Sequence, residues 1–303
     1  MTVVTVQQAQ MLLASSHPDA GAQWIENQTD DAYHSDKSAV SASSLSKILR
    51  SPATFKETFW GPPRPASDAL KLGRLVHMAL LEPSRFVESY VVMPVFEGFT
   101  KDGRLSNQSG EAKAKKASWF ASLPPGTTVV TEEERDVIEG IANSVMAHRD
   151  AKDILTGGKT EVSGYYVDQD SGIRCKIRPD FIHFGIHAEV DLKTTQDCSR
   201  YAFSRSIMNY NYHFQRAMYA EGIKAITGKY PEHSVFIAVE KEPPFEVAVY
   251  RADIGMMDYG REQYKQALRT LRTCIDTMTW PGIQATMEDI ALPAYVFNQG
   301  DRT

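Results

Sequence analysis

The chain has 303 residues, 42% of them hydrophobic and 23% charged, with a formal net charge of −5. These values exclude a disordered or fibrous protein, and the lack of any run of 18 apolar residues excludes a membrane-spanning helix. The acidic balance argues against a general nucleic-acid coat but leaves room for a local basic groove.

Residues 1–30 are polar, with one amphipathic stretch from Val6 to Leu13, and read as an N-terminal extension to a single domain over 31–303. The run Met11-Leu12-Leu13-Ala14 is too short for a signal-peptide core. Ser43 is expected to cap a short helix over Leu45–Leu49, and Ser51-Pro52 to open the next. Gly61-Pro62-Pro63-Arg64-Pro65 is a stiff connector. From Ser67, the spacing of Leu70, Leu72, Leu75, Val76, Ala79 and Leu80 predicts a helix that ends before Pro83. Tyr90–Val95 reads as a strand and 97–116 as a loop with five basic residues, Lys101, Arg104, Lys113, Lys115 and Lys116. Thr131 and Glu134 form a capping box for a helix to about Met146.

The second half changes character. Glu161–Val167 and Ile173–Ile177 alternate around the turn Asp170-Ser171-Gly172, a hairpin pattern. Ala188–Thr194 is a third strand, 197–208 and 212–226 are helices, Val235–Glu240 and Phe245–Tyr250 are strands, and Asp253–Met278 is a last amphipathic helix. The order predicts an α/β fold with a mixed central sheet flanked by helices. Three widely spaced cysteines, Cys175, Cys198 and Cys274, cannot supply four thiolates for an iron–sulfur cluster and suit a cytoplasmic protein.

The chemistry concentrates at Arg178-Pro179-Asp180 and Asp191-Leu192-Lys193. On a strand, Asp191 and Lys193 share a face, with Leu192 turned to the core. Asp180, just after the hairpin, can bring a second carboxylate beside them. Two carboxylates near a backbone carbonyl suit Mg²⁺ or Mn²⁺, and a lysine at the rim can position or deprotonate a water or offset charge. The same spacing also fits surface carboxylates with a solvated lysine. His77, alone on an apolar helix, reads as a core histidine. Gln215 and Tyr219 share a helix face, and Glu161 opens the strand before the hairpin.

In order, Gly73-xxx-His77, Glu161, Asp180, Asp191-x-Lys193 and Gln215-xxx-Tyr219 resemble the RecB-type nucleases of the PD-(D/E)XK superfamily. The flanking text, including Ala42-Ser43-Ser44-Leu45-Ser46-Lys47-Ile48-Leu49, Leu72-Gly73-Arg74-Leu75-Val76-His77 and Arg174-Cys175-Lys176-Ile177-Arg178-Pro179-Asp180, is similar to the exonuclease VIII (RecE) nuclease family. The resemblance runs from about residue 30 to the last helix. It implies a restriction-endonuclease-like core and a Mg²⁺-dependent, ATP-independent 5′-to-3′ exonuclease on linear double-stranded DNA, of the kind found in phages and prophages. It further implies 3′ tails for a RecT-like single-strand annealing partner and a homo-oligomer in the form of a tetrameric ring. Carried onto this chain, Asp180 and Asp191 would be metal ligands with the Leu192 carbonyl. Lys193 would act on the attacking water or scissile phosphate, and His77 would sit at the metal or phosphate edge. Gln215 and Tyr219 would orient the site, and Glu161 would be a second-metal or supporting residue. Two alternatives remain: another nuclease of the superfamily, such as a structure-specific or restriction endonuclease, and a catalytically silent DNA-end-binding recombination protein.

Basic charge gathers near these residues. Arg174, Lys176 and Arg178 alternate along one strand face. Between 199 and 229, Arg200, Arg205, Arg216, Lys224 and Lys229 stand against the single acidic Glu221. Both groups are expected to follow DNA phosphates. Trp60 and Trp119 are candidates for stacking on DNA ends, though packing is the simpler role.

Overall fold

The computed structural model describes residues 2–17, 21–62, 68–125 and 127–292; Pro63–Pro65 of the connector and the expected helix start at Ser67 lie outside them. The chain runs α1 (Val6–Gln10), β1 (Gln23–Ile25), α2 (Asp30–Ser35), α3 (Ala42–Leu45), α4 (Pro52–Trp60), α5 (Asp68–Leu81) and α6 (Pro83–Ser89). Next come β2 (Tyr90–Val92), β3 (Gly98–Phe99), β4 (Leu105–Ser106), α7 (Gly110–Ser122), β5 (Thr128–Val130), α8 (Glu132–Ala147) and α9 (Arg149–Ile154). The second half gives β6 (Lys159–Thr160), β7 (Ser163–Val167), β8 (Arg174–Ile177), β9 (Phe181–His183), β10 (Ala188–Thr195), α10 (Arg200–Asn209), α11 (Tyr212–Thr227), β11 (His233–Glu240), β12 (Val247–Arg251) and α12 (Ile254–Thr277).

Local chemistry sets most boundaries. Thr131 and Glu134 cap α8 reciprocally, and Ser51 accepts from the Thr54 N–H with Pro52 in the first turn of α4. Ser41, rather than Ser43, caps α3, and Ser44 completes the box. The expected loop at 97–116 is instead the β3–β4 hairpin followed by α7, which Ser109 caps. That segment is rich in Ala, Lys and Glu, all helix formers, but its apolar periodicity is weak.

The central sheet has the order β12-β11-β10-β9-β6, with β10 and β11 parallel and the other pairs antiparallel. The β7–β8 hairpin does not join it. β1 and β8 take the two edges of β7, and β8 meets Val40 on its other side, so no edge remains for β10. The hairpin strands therefore form a sheet separate from the central one, where a single sheet was expected. The hairpin's Gly172 turn has φ +68°, a conformation that favours glycine. The described part of the N-terminal extension packs onto this second sheet: Leu13 bridges to Ile173, and Ala9 and Leu12 are fully buried with Tyr166 and Ile173.

β10 separates two environments. Val190 and Leu192 point into an apolar layer with Leu75 and Val76 of α5 and Ile138, Ile141 and Val145 of α8. Glu189, Asp191 and Lys193 point to the opposite face, under α10 and α11. Beyond that face, α11 and α12 pack tightly. A Cβ on Gly260 would lie 2.2 Å from the His213 carbonyl oxygen, an atom that cannot move without the α11 backbone. Gly260→Ala should therefore lower unfolding stability by roughly 1–3 kcal/mol in a denaturant titration, despite alanine's better helix propensity. A stability equal to or above wild type would show that the two helices have slack.

Candidate active site

The site lies where a sheet ladder is interrupted. β9 pairs with β10 through His183↔Ala188, Ile182↔Glu189 and Phe181↔Val190. Continued, that register sets Asp180 opposite Asp191 and Pro179 opposite Leu192. Proline has no N–H to donate, so the ladder cannot extend to Leu192. The two orphaned Leu192 groups find side chains instead. Its N–H donates to Asp180 Oδ2 at 2.7 Å, and its carbonyl meets His77 Nε2 at 2.9 Å. On the other side of β9, Lys159↔Ile182 and Thr160↔Phe181 set Glu161 opposite Asp180, and the Glu161 N–H donates to the Asp180 carbonyl. Glu161 has φ +50°, which ends β6 at that point. Glu161, Asp180 and Asp191 thus form one cross-strand row, and residues directly opposite one another share a face.

The row is electrostatically unequal. Asp191 is fully buried, with Oδ1 2.7 Å from Arg216 and Oδ2 2.6 Å from the Lys193 ammonium. Burial raises its pKa, but Arg216 and Lys193 outweigh that and hold the carboxyl below its usual range. Asp180 is pushed up by burial, against the pull of His77 and with Asp191 adding to the rise. Burial and then Asp180 push Glu161 up to about 8. A carbonyl can only accept, so His77 Nε2 carries the proton bonded to Leu192. Its Nδ1 lies 3.6 Å from Asp180 Oδ1. One ligand atom from each of His77, Glu161 and Asp180 falls within 4.8 Å of the others. Two close carboxylates with little counter-charge, one imidazole nitrogen and a nearby carbonyl form a donor set that fits a hard divalent cation. Asp191 is not part of this triad: its Oδ1 faces Arg216 and its Oδ2 faces Lys193.

These groups open onto a cleft of about 1100 Å³ that His77, Glu161, Leu192 and Lys193 line. The expected basic residues divide. Arg205 lines the cleft and Arg200 is exposed outside it. Arg178 reaches the cleft but is buried, bonded to Asp30, Ser163 and the Gln28 carbonyl. Arg174 donates to Ser38 and lies over the Tyr165 ring. Two expectations are corrected. Lys176 is buried, donating to the Tyr33 and Asp36 carbonyls, so the Arg174–Lys176–Arg178 face is not a phosphate track. Arg216 is fully buried between Glu189 and Asp191 and is out of reach of DNA. Gln215 and Tyr219 do come together, Nε2 to hydroxyl at 3.2 Å, and the Arg216 guanidinium lies over the Tyr219 ring. Neither Gln215 nor Tyr219 is among the residues that line the cleft. Trp60 packs among Phe55, Phe59 and Trp280, and Trp119 against Phe96 and Phe120.

Sequence reasoning missed Glu189, which binds Arg216 and Ser234 and which burial raises to about 7. The alternation Glu189-Val-Asp191-Leu-Lys193 was the available signal. Arg74, Lys241 and Tyr212, all lining the cleft, were missed too.

A family model described as a PDDEXK-like domain of unknown function (DUF3799) matches residues 41–289. The chain belongs to this family. That places it in the PD-(D/E)XK superfamily. A crystal structure described as a "Putative exonuclease" from Eubacterium rectale is 13% identical, with a TM-score of 0.57 over 92% of this chain and 100% of that one. At that identity, the likeness concerns the fold. A second solved structure, of the protein SSO0001, is 14% identical and covers 50% of this chain and 79% of its own, but its TM-score of 0.27 carries no argument. No curated protein matches the sequence.

The buried Arg216 and the cleft-lining Arg205 should respond differently to mutation. Arg216→Met leaves Glu189 without its cation and Asp191 with Lys193 alone, and should cost about 3–5 kcal/mol of unfolding stability. Arg205→Ala should change stability by less than about 0.5 kcal/mol. Denaturant titrations of both variants check this, and an unperturbed Arg216→Met would contradict the buried network.

Proposed function

We propose that this protein is a metal-dependent nuclease that degrades linear double-stranded DNA. The observation that carries the reading is the convergence of the His77–Glu161–Asp180 triad and the Lys193 ammonium at one end of an open cleft. Glu161, Asp180 and His77 would hold a divalent cation, Mg²⁺ or Mn²⁺, with the Leu192 carbonyl beside it. When bound, the ion supplies Lewis acidity toward a phosphate oxygen and a more acidic water.

The remaining roles belong to the chain itself. Lys193 is paired with Asp191, so it enters as a fixed cation that offsets charge on the scissile phosphate, not as a base. Asp191 sets its position, and Arg216 sets Asp191. Arg74, Arg205 and Lys241 line the cleft and can hold flanking phosphates.

The likeness to the exonuclease VIII family supports a finer reading: 5′-to-3′ polarity, Mg²⁺ without ATP, and 3′ tails passed to a RecT-like annealing protein. It also supports a homotetrameric ring around DNA and a cytoplasmic location. Among the described residues, no helix is long and apolar enough to cross a membrane.

End-labelled linear duplex and covalently closed circles test the reading. With Mg²⁺, the wild type should release nucleotides from the linear duplex only, and from a 5′ label first. EDTA should stop release. Lys193→Ala should slow it by at least about a hundredfold, with metal binding kept. Cutting of closed circles would point to an endonuclease. No release from any substrate, or full activity in Lys193→Ala, would sink the assignment.

A further inference from the structure

We propose that Tyr210 and Tyr212 form a stacking platform for an unpaired nucleobase, so that the cleft takes the strand to be cut as a single strand. The proposal rests on the nuclease reading and adds to it the form of the substrate at the site.

Three observations carry it. First, both tyrosines line the cleft, and Tyr210 is 67% exposed, a large cost in wetted aromatic surface for a ring with only a structural role. Second, their rings are stacked, with centroids 5.6 Å apart and planes 28° apart. Residues two apart on a continuous helix point to different sides. Here Asn211, at φ +58°, breaks the helix between α10 and α11 and turns both rings the same way. Asparagine is among the few residues that adopt this conformation readily. Third, the stack leads to the chemistry. The Lys193 ammonium lies 4.8 Å from the Tyr212 ring centroid. Tyr212 is held by Phe203 and Phe236, which fixes the inner ring and leaves the outer one free.

The surroundings suit one ligand class. The same bank of the cleft presents Arg205, Ser206 and Asn209, which lie on one face of α10. A flat aromatic surface beside a cation and hydrogen-bonding side chains is what a nucleotide needs: a face for the base and donors for its phosphate. Inside a duplex, both faces of every base are covered by neighbours, and a blunt end offers only the outer face of its last pair. A base that has left the stack can offer a face to Tyr210 and reach into the cleft beside Arg205 and Lys193.

A double-mutant cycle between protein and DNA tests this. The probe is a fluorescent, 5′-phosphorylated single-stranded oligodeoxynucleotide, intact or with one abasic site moved along its first five nucleotides. Anisotropy is read with Ca²⁺ in place of Mg²⁺. The wild type should bind the intact strand about tenfold or more tightly than one of the abasic strands. Tyr210→Ala should bind both alike, and Tyr210→Phe should restore the difference. If no abasic position weakens wild-type binding, or if Tyr210→Ala weakens intact and abasic strands by the same factor, the platform is overturned while the nuclease reading stands. If the wild type binds no DNA at all, the nuclease reading falls and the platform with it.

Discussion

The structure turns on a missing hydrogen bond. Pro179 sits opposite Leu192 and cannot donate to it, so the β9–β10 ladder stops one residue short of the chemistry. Everything nearby answers that gap. Asp180 uses its carboxylate to take the Leu192 N–H, and His77 reaches across from α5 to the carbonyl. On the far side of β9, the Glu161 backbone bonds to Asp180 and brings a third carboxylate into the row. A residue with a backbone N–H at 179 would let the two strands zip on and would close the space into which these groups converge.

Three carboxylates in a row repel, and the fold compensates only one of them. Asp191 has Arg216 beneath it and Lys193 above it. Arg216 is in turn shared with Glu189 and stacked on Tyr219, so the cation is held on several sides. An unpaired arginine in that position would be very costly, and so would the two acids without it. Among the described residues, Glu161 and Asp180 have no comparable partner. Burial, and then a neighbouring carboxylate, raises both pKa values, and a divalent ion would offset that cost. The acidic net charge thus includes side chains that face inward, and it says little about what the cleft attracts.

Much of this was legible in the sequence. Period-two spacing placed Asp191 and Lys193 on one face, and Asp180 was expected to bring a second carboxylate beside them. The capping boxes at Thr131 and the Gly172 turn were also plain, because each depends on residues only a few positions apart. The errors share a cause. Lys176, Arg178 and Arg216 look like surface cations, and their burial depends on Tyr33, Asp30 and Glu189, 27 to 148 residues away in the chain. The three-residue strand β9 was too short to show periodicity, yet it carries the register that aligns the site. The split into two sheets depended on β1, which lay in a segment read as an extension.

If Glu161 and Asp180 together hold a cation, metal binding must depend on both. The most direct measurement is Mn²⁺ binding to the purified protein, followed by titration calorimetry and by electron paramagnetic resonance of the free ion. The wild type should bind Mn²⁺ at a saturable site, and Glu161→Gln and Asp180→Asn should each weaken that site by at least about tenfold while remaining folded. Binding of equal strength in both variants, or no saturable binding by the wild type, would contradict the account.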